Sequence, residues 1–258
     1  MNPVEPPNAS EPRETADVES STDAYADRFA GPVGTWLLAV QERLTLSLLA
    51  DLPGATLLDV GGGHGQLARP LCRAGYRVTV LGSDESCRHR IADLVDTGAC
   101  AFQTGDLVAL PYEASSFDAA LSFRLLPHCT AWPALIGELC RVARRRVVVD
   151  YPTSQGLNAV APALFDAKKK LEGNTRTWRQ FRHPEVEAAF ALHGFRLLRR
   201  APQFFLPMVL HRTLKCRPVS AALENTCAAL GLTRRWGSPA IAAFERIQPA
   251  VNASGRAA

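Results

Sequence analysis

The stretch Thr56-Leu57-Leu58-Asp59-Val60-Gly61-Gly62-Gly63-His64-Gly65 decides how the rest of the chain is read. Residues 56–60 have the character of a buried strand, and they run directly into a glycine-rich turn. Glycine after a strand leaves no Cβ between the backbone and a ligand. The turn's N–H groups and the start of the following helix favour polar or anionic ligand groups. A dinucleotide turn requires GxGxxG, but the sixth position counted from Gly61 is Gln66, so that reading fails. The form present is GxGxG at 61, 63 and 65, with Asp59 two residues before the first glycine.

Outward from this turn, short apolar runs alternate with helical patterns. Residues 65–74 read as a helix, Arg77 to Leu81 as a second strand, 87–97 as a helix and 99–103 as a third strand. Residues 117–123 form a fourth strand. Trp132, Leu135, Ile136 and Leu139 mark a helical stripe, and 147–150 a fifth strand. Further on, helices are expected at 160–172 and 184–193, and strands at 195–198 and 241–244. A segment at 201–239 lies between those strands and carries its own helix near 219–230. Strands alternating with helices predict an α/β fold: a three-layer, doubly wound, mostly parallel seven-stranded sheet.

Upstream, Leu37, Val40, Leu44 and Leu48 recur at helical spacing within 24–50, interrupted early by Gly31-Pro32. Residues 1–22 are polar and proline-rich and are expected to be disordered, as is the tail 247–258. The single domain expected over 23–246 divides into a helical lid (23–52), a ligand-binding half (53–150) and a substrate-side half (151–246).

Composition bounds the function classes. With 258 residues, 47% apolar and 21% charged, the chain suits one large soluble domain. A net charge of +4 permits an anionic ligand without demanding nucleic acid. Seven cysteines with no CxxC pair give no zinc spacing, so no metal site is expected, and they read as thiols in a reducing compartment. With no signal peptide or apolar run of membrane-spanning length, a cytoplasmic location is expected.

The run Leu58-Asp59-Val60-Gly61-Gly62-Gly63-His64-Gly65 resembles the first motif of the class I S-adenosylmethionine-dependent methyltransferases. The resemblance implies a Rossmann-like methyltransferase fold with an N-terminal helical lid and C-terminal insertions, S-adenosylmethionine as cofactor, and a turn (Asp59, Gly61, Gly63, Gly65) holding its methionine moiety. Asp84, after the second strand, is placed to accept both ribose hydroxyls, with Glu85 as the alternative register. Asp106 after the third strand can accept the adenine amino group, while the Leu107 N–H faces a ring nitrogen. Leu110-Pro111-Tyr112 and Ser116-Phe117-Asp118 resemble the family's run into strand four. Asp118, at the start of a strand, is read as supporting the fold.

Ligands of open parallel sheets bind at the carboxyl ends of the strands. That edge receives Phe123 to His128, Asp150, and the segments 151–182 and 201–239, so Phe123 joins the cofactor residues. Arg144, Arg145 and Arg146 fall on the opposite edge, read as a solvated helix end. A lid tyrosine often touches the cofactor in this family, which singles out Tyr25. If the acceptor must lose a proton, His128, Asp150 or His64 could take it. The basic segment 168–182 is either a solvated helix and loop or an anion-recognising stretch led by Arg176 and Arg179. His211 could add a polar contact, after the apolar residues 204–210, which either pack in the core or line a pocket.

The expected partner is a small-molecule methyl acceptor, with no stable nucleic-acid binding. An RNA methyltransferase would favour an Asn/Asp-Pro-Pro-aromatic motif after strand four, where Ser122-Phe123-Arg124-Leu125 stands. A non-catalytic cofactor-binding protein would be marked by loss of Asp59, Gly61 or Asp84, none of which is lost.

Overall fold

A computed structural model describes residues 14–156 and 178–248. Strand β1 (Thr56–Val60) is buried on both faces. Leu58 and Val60 enter one apolar cluster with Ile136, Leu139 and Phe244. Leu57 enters another with Leu71, Val80 and Val148. Because successive side chains alternate, a strand that is apolar throughout must lie mid-sheet with both faces covered.

β1 pairs in parallel with β2 (Arg77–Gly82) and β4 (Phe117–Ser122). With β3 (Cys100–Thr104), β5 (Ala143–Tyr151), β6 (Phe195–Pro202) and β7 (Ala240–Arg246), the order is β3-β2-β1-β4-β5-β7-β6. Only β7 runs antiparallel, against both β5 and β6. The seven-stranded, mostly parallel sheet is therefore as expected. Strand order reverses between β1 and β4, and their carboxyl ends form the crevice where open α/β sheets take ligands.

Three helices supply the layer over the Leu57 face: α3 (Gly31–Leu49), α4 (Ala68–Arg73) and α5 (Ala92–Asp96). On the other face α6 (Trp132–Val142) contributes Leu135, Ile136 and Leu139, the apolar stripe of an amphipathic helix. The neighbouring α7 (His183–Ala191) brings Phe190 onto Phe244, with ring centroids 3.8 Å apart.

At the amino edge Asp118 joins three strands. Its carboxylate accepts from the N–H and hydroxyl of Thr56 (2.9 and 2.8 Å) and from Arg144 (2.7 Å). These hydrogen bonds, led by the Thr56 N–H, lower its pKa. This fits its reading as a fold-supporting residue.

Several boundaries differ from expectation. α4 begins at Ala68, because Gly65 sits in the left-handed region (φ 70°) and closes a 3-10 turn over Gly62–His64. The helix expected at 87–97 is a 3-10 stretch, Glu85–Ile91, followed by α5. β5 starts at Ala143, so Arg144 to Arg146 belong to a strand and not a helix end. Arg146 is buried and forked onto Asp51. β6 extends to Pro202, and the segment after it holds three helices in place of one: α8 (Met208–Leu214), α9 (Arg217–Ala229) and α10 (Leu232–Trp236). The expected helix at 160–172 lies outside the described residues, as do 1–13 and 249–258.

The largest correction is at the N-terminus. Within the expected disordered tail, Ala16–Ser20 form helix α1, followed closely by α2 (Asp23–Ala26). The physical reason is anchoring: Asp17 and Ser20 are buried, and Asp17 bonds to the chain beyond β2. Polar composition hid a segment held largely by satisfied donors, with Ala16 alone packed onto the core cluster. No helix among the described residues is long and apolar enough to cross a membrane.

Candidate cofactor site

The turn after β1 is shaped by Gly61 and Gly65, at φ 75° and 70°, conformations that cost glycine little. The Gly61 N–H donates to the Leu81 carbonyl at 2.8 Å, fixing the turn to β2. Asp59 lies beneath it, and a Cβ on Gly62 would overlap its carboxylate. Asp59 is fully buried, and neither of its oxygens has a partner. Burial first, and the nearby Asp150 second, push its pKa up to about 7. An orphaned acceptor pair in a site this dry lacks a cationic or hydrogen-bonding partner. The ammonium of a bound S-adenosylmethionine would supply that chemistry, so the orphaned carboxylate beside the glycine turn fits this cofactor.

His64 is also buried. Its Nδ1 accepts from the Gln66 N–H at 3.1 Å, and its Nε2 is unpartnered. Burial, then Arg124, push its pKa down to about 3, so it is neutral near pH 7 and a weak base.

Arg124, just past β4, organises the crevice. Its backbone is left-handed (φ 61°), and its N–H donates to Asp150 at 2.6 Å. Its guanidinium reaches Gln66 at 3.1 Å and Gln41 of α3 at 2.7 Å, and lies 4.6 Å from the Phe29 ring centroid. One residue thus joins the helical lid, the chain just after the glycine turn and the end of β5, the last through its backbone N–H. Sequence reasoning missed Arg124, Gln41 and Gln66. The available signal was Gln41, a polar residue four positions after Leu37 on the core-facing stripe of α3, where an unpartnered amide would be costly.

The sequence-predicted residues divide. Asp150 is buried near the end of β5 and committed to the Arg124 N–H. Its pKa is raised by burial and held back by Arg124. His128 ends a 3-10 turn (Leu126–His128) at the carboxyl end of β4 and is half-buried. Asp84 is exposed after β2 and accepts from the Ser86 N–H at 2.9 Å. Asp106 accepts from the Val108 N–H at 2.9 Å, forming a tight turn, and Leu107 is buried in the core. Tyr25 is half-buried on α2, 6.0 Å from the Phe29 ring, which in turn lies under Arg124.

Three of the expected site residues make other contacts. Phe123 packs with Leu121, Val148 and Ile241 in the core under the sheet, since alternation turns it inward. The Arg179 guanidinium pairs with Glu185 and covers the Trp132 and Phe181 rings. One guanidinium nitrogen is thus engaged on a half-exposed side chain, while the backbone N–H donates to the Pro127 carbonyl at 2.9 Å. His211 is fully buried and 3.0 Å from Glu224, whose carboxylate also accepts from the N–H groups of Phe205 and Leu206. That makes His211 an internal strut of the segment after β6. Arg176 lies outside the described residues.

α1 lies across this edge. Asp17 accepts from the Ser83 N–H (2.7 Å), the Ser83 hydroxyl (2.5 Å) and the Cys87 thiol (3.3 Å). Glu14 accepts from the Thr130 N–H at 2.7 Å, at the start of α6.

Comparison with known proteins agrees with the sheet and the turn. A family model described as a methyltransferase domain matches residues 58–149. Malonyl-[acyl-carrier protein] O-methyltransferase of Pectobacterium atrosepticum is 28% identical over 202 residues, covering 78% of each chain. An O-methyltransferase of Pyrenophora dematioidea is 30% identical over 193 residues, 62% of this chain and 72% of the relative. Among solved structures, magnesium protoporphyrin IX methyltransferase from Synechocystis with bound SAH superimposes with a TM-score of 0.59 at 17% identity, over 88% of this chain and 97% of that one. Similarity of this extent, with the fold shared by solved methyltransferases, places the protein in a family and gives it a cofactor: it belongs to the class I S-adenosylmethionine-dependent methyltransferases.

Proposed function

We propose that the protein transfers a methyl group from S-adenosylmethionine to an oxygen of a small-molecule acceptor. The observation that carries the cofactor site is the buried, unpartnered Asp59 carboxylate beneath the glycine turn. In this reading Asp59, Gly61, Gly63 and Gly65 receive the methionine end, Asp84 the ribose hydroxyls, and Asp106 with the Leu107 N–H the adenine. Tyr25 covers the cofactor from the lid. Two relatives named as O-methyltransferases, matching across most of their length, support oxygen over nitrogen or carbon.

The bound cofactor supplies a methyl group already activated on a sulfonium. The protein's task is alignment in a dry crevice, where positioning alone is worth roughly 7–11 kcal/mol in well-oriented cases. Arg124 serves this by holding lid, turn and β5 in one arrangement. A carboxylate acceptor needs no base, whereas a phenol or alcohol must lose a proton. For that task His128 is the candidate, since burial makes His64 a weak base by disfavouring its protonated form and Asp150 is engaged by the Arg124 N–H.

The test is transfer from methyl-labelled cofactor to panels of small carboxylic acids, phenols and amines. Label in base-labile esters or base-stable ethers is expected. Label only in N-methyl products would overturn the oxygen assignment.

A further inference from the structure

The helices after β6 are built inside out. On α8 the buried side chain is His211, while Val209, Leu210 and Leu214 stand exposed. On α9 the buried residues are Ser220 and Glu224. Glu224 holds this polar interior, accepting from the N–H groups of Phe205 and Leu206 and lying 3.0 Å from His211. Val219, Leu223 and Leu230, four and seven residues apart, make one exposed stripe along α9, and Leu230 at its end is 69% exposed. Of the ten large apolar side chains exposed among the described residues, seven lie within 208–236. Scattered singly such groups mean little, but gathered on one short segment they mark a surface made to be covered.

Charge singles out the same segment. Residues 203–239 carry five cations against one acid, Glu224, which is buried. Their excess of four equals the net charge of the whole chain, so the remainder balances. Lys215, Arg217, Arg234 and Arg235 are exposed among the apolar groups, with the Arg235 guanidinium 5.1 Å from the Trp236 ring centroid. What covers this face must therefore be apolar within and anionic at its surface. A second copy of the chain would set like charge against like. So would residues 157–177, with four cations to two acids.

We propose that α8, α9 and α10 form a membrane-docking face, which lays its leucines and valines against the acyl chains of an anionic bilayer while the arginines and Lys215 meet the headgroups. Amphipathic helices with this pairing of apolar and cationic side chains lie in the interface plane, with tryptophan at headgroup level. Each cation near an anionic surface adds attraction, and salt screens it. No described helix is long and apolar enough to cross a bilayer, so the attachment is peripheral. The face is also distinct from the arginine-lined groove. His211 of α8 packs 5.3 Å from the Trp36 ring in the first half of α3, whereas Asp51, beyond the last turn of α3, lines that groove.

Co-sedimentation of the full chain with vesicles decides the matter, comparing equimolar phosphatidylglycerol and phosphatidylcholine with phosphatidylcholine alone. The protein is expected to partition about tenfold more strongly onto the anionic vesicles and to leave them in high salt. Leu223→Glu combined with Leu230→Glu is expected to lower that binding about tenfold, with thermal unfolding unchanged because both side chains are exposed. Arg234→Gln with Arg235→Gln should lower it too, whereas Arg145→Gln with Arg196→Gln, in the groove at the other end of α3, should leave it intact. Equal losses from the two arginine pairs would reduce the attraction to net charge and overturn the docking face. Failure to bind anionic vesicles, or equal binding to both compositions, would overturn it as well. A dimer in light scattering that the double glutamate variant makes monomeric would give the face to a second copy and equally overturn it.

Discussion

Asp59 concentrates the chemistry of the site. An unfolded aspartate titrates near 3.9, whereas burial lifts this one to about 7. A raised acid pKa means that ionisation opposes folding, so this group's contribution to stability falls as pH rises from about 4 to about 7. Pairing with a ligand ammonium reverses the shift and releases a proton. Cofactor affinity measured by calorimetry should therefore rise between pH 6 and 7.5, and an affinity flat with pH would contradict the pairing. Asp59→Asn should bind at least tenfold more weakly and lose the dependence. Asp59 and the glycines were legible in sequence because their spacing is local. Arg124 was not, because its partners Gln41, Gln66, Phe29 and Asp150 come from four distant places. Arg124→Lys keeps the charge but loses the planar fork to two glutamines. It should lower cofactor affinity several-fold and the Tm by a few degrees, and full retention of both would show the fork to be idle.

Among the elements, the amino and carboxyl edges of the sheet divide the labour, and substitutions should respect that division. Asp118→Asn weakens a staple between β1, β4 and β5. It should cost about 1–2 kcal/mol, or a few degrees of Tm, with cofactor affinity unchanged. Because the folded pKa of Asp118 is depressed, its contribution is present above pH 4 and lost as pH falls below it. Acid melts of wild type and variant should converge there. Glu224→Ala strands the N–H groups of Phe205 and Leu206 together with His211. Hydrogen exchange should then quicken across residues 203–239 while the sheet stays protected. Exchange confined to the substituted position would contradict the strut. The β-strands were readable because burial on two faces writes continuous apolar runs. The short helices were not: α1, α8 and α10 have five to seven residues, too few for a period to show. Their positions depend on Asp17, Glu224 and neighbouring backbone groups, which are tertiary bonds.

At the scale of the molecule, one topological fact places the function. The chain lays β1, β2 and β3 outward on one side of the sheet and returns with β4 on the other, opening a crevice above β1. The Asp59 turn and Asp150 border that crevice, whereas the arginine-rich groove lined by Arg144, Arg145, Arg146, Arg196 and Arg246 lies at the opposite sheet edge, formed by the amino ends of β5 and β6 and the carboxyl end of antiparallel β7. Alternation of strands and helices made this much visible in sequence, because a parallel sheet needs helical crossovers. The acceptor side was not visible, since residues 151–239 follow no repeating pattern and part of that segment lies outside the described residues. The central claim is that the bare turn above Asp59 receives S-adenosylmethionine, and titration calorimetry tests it most directly. Wild-type protein should bind S-adenosylmethionine and S-adenosylhomocysteine with micromolar dissociation constants, and Gly63→Val, folded by circular dichroism, should bind neither. Equal binding by the valine variant, or no heat from the folded wild-type protein, would contradict the account.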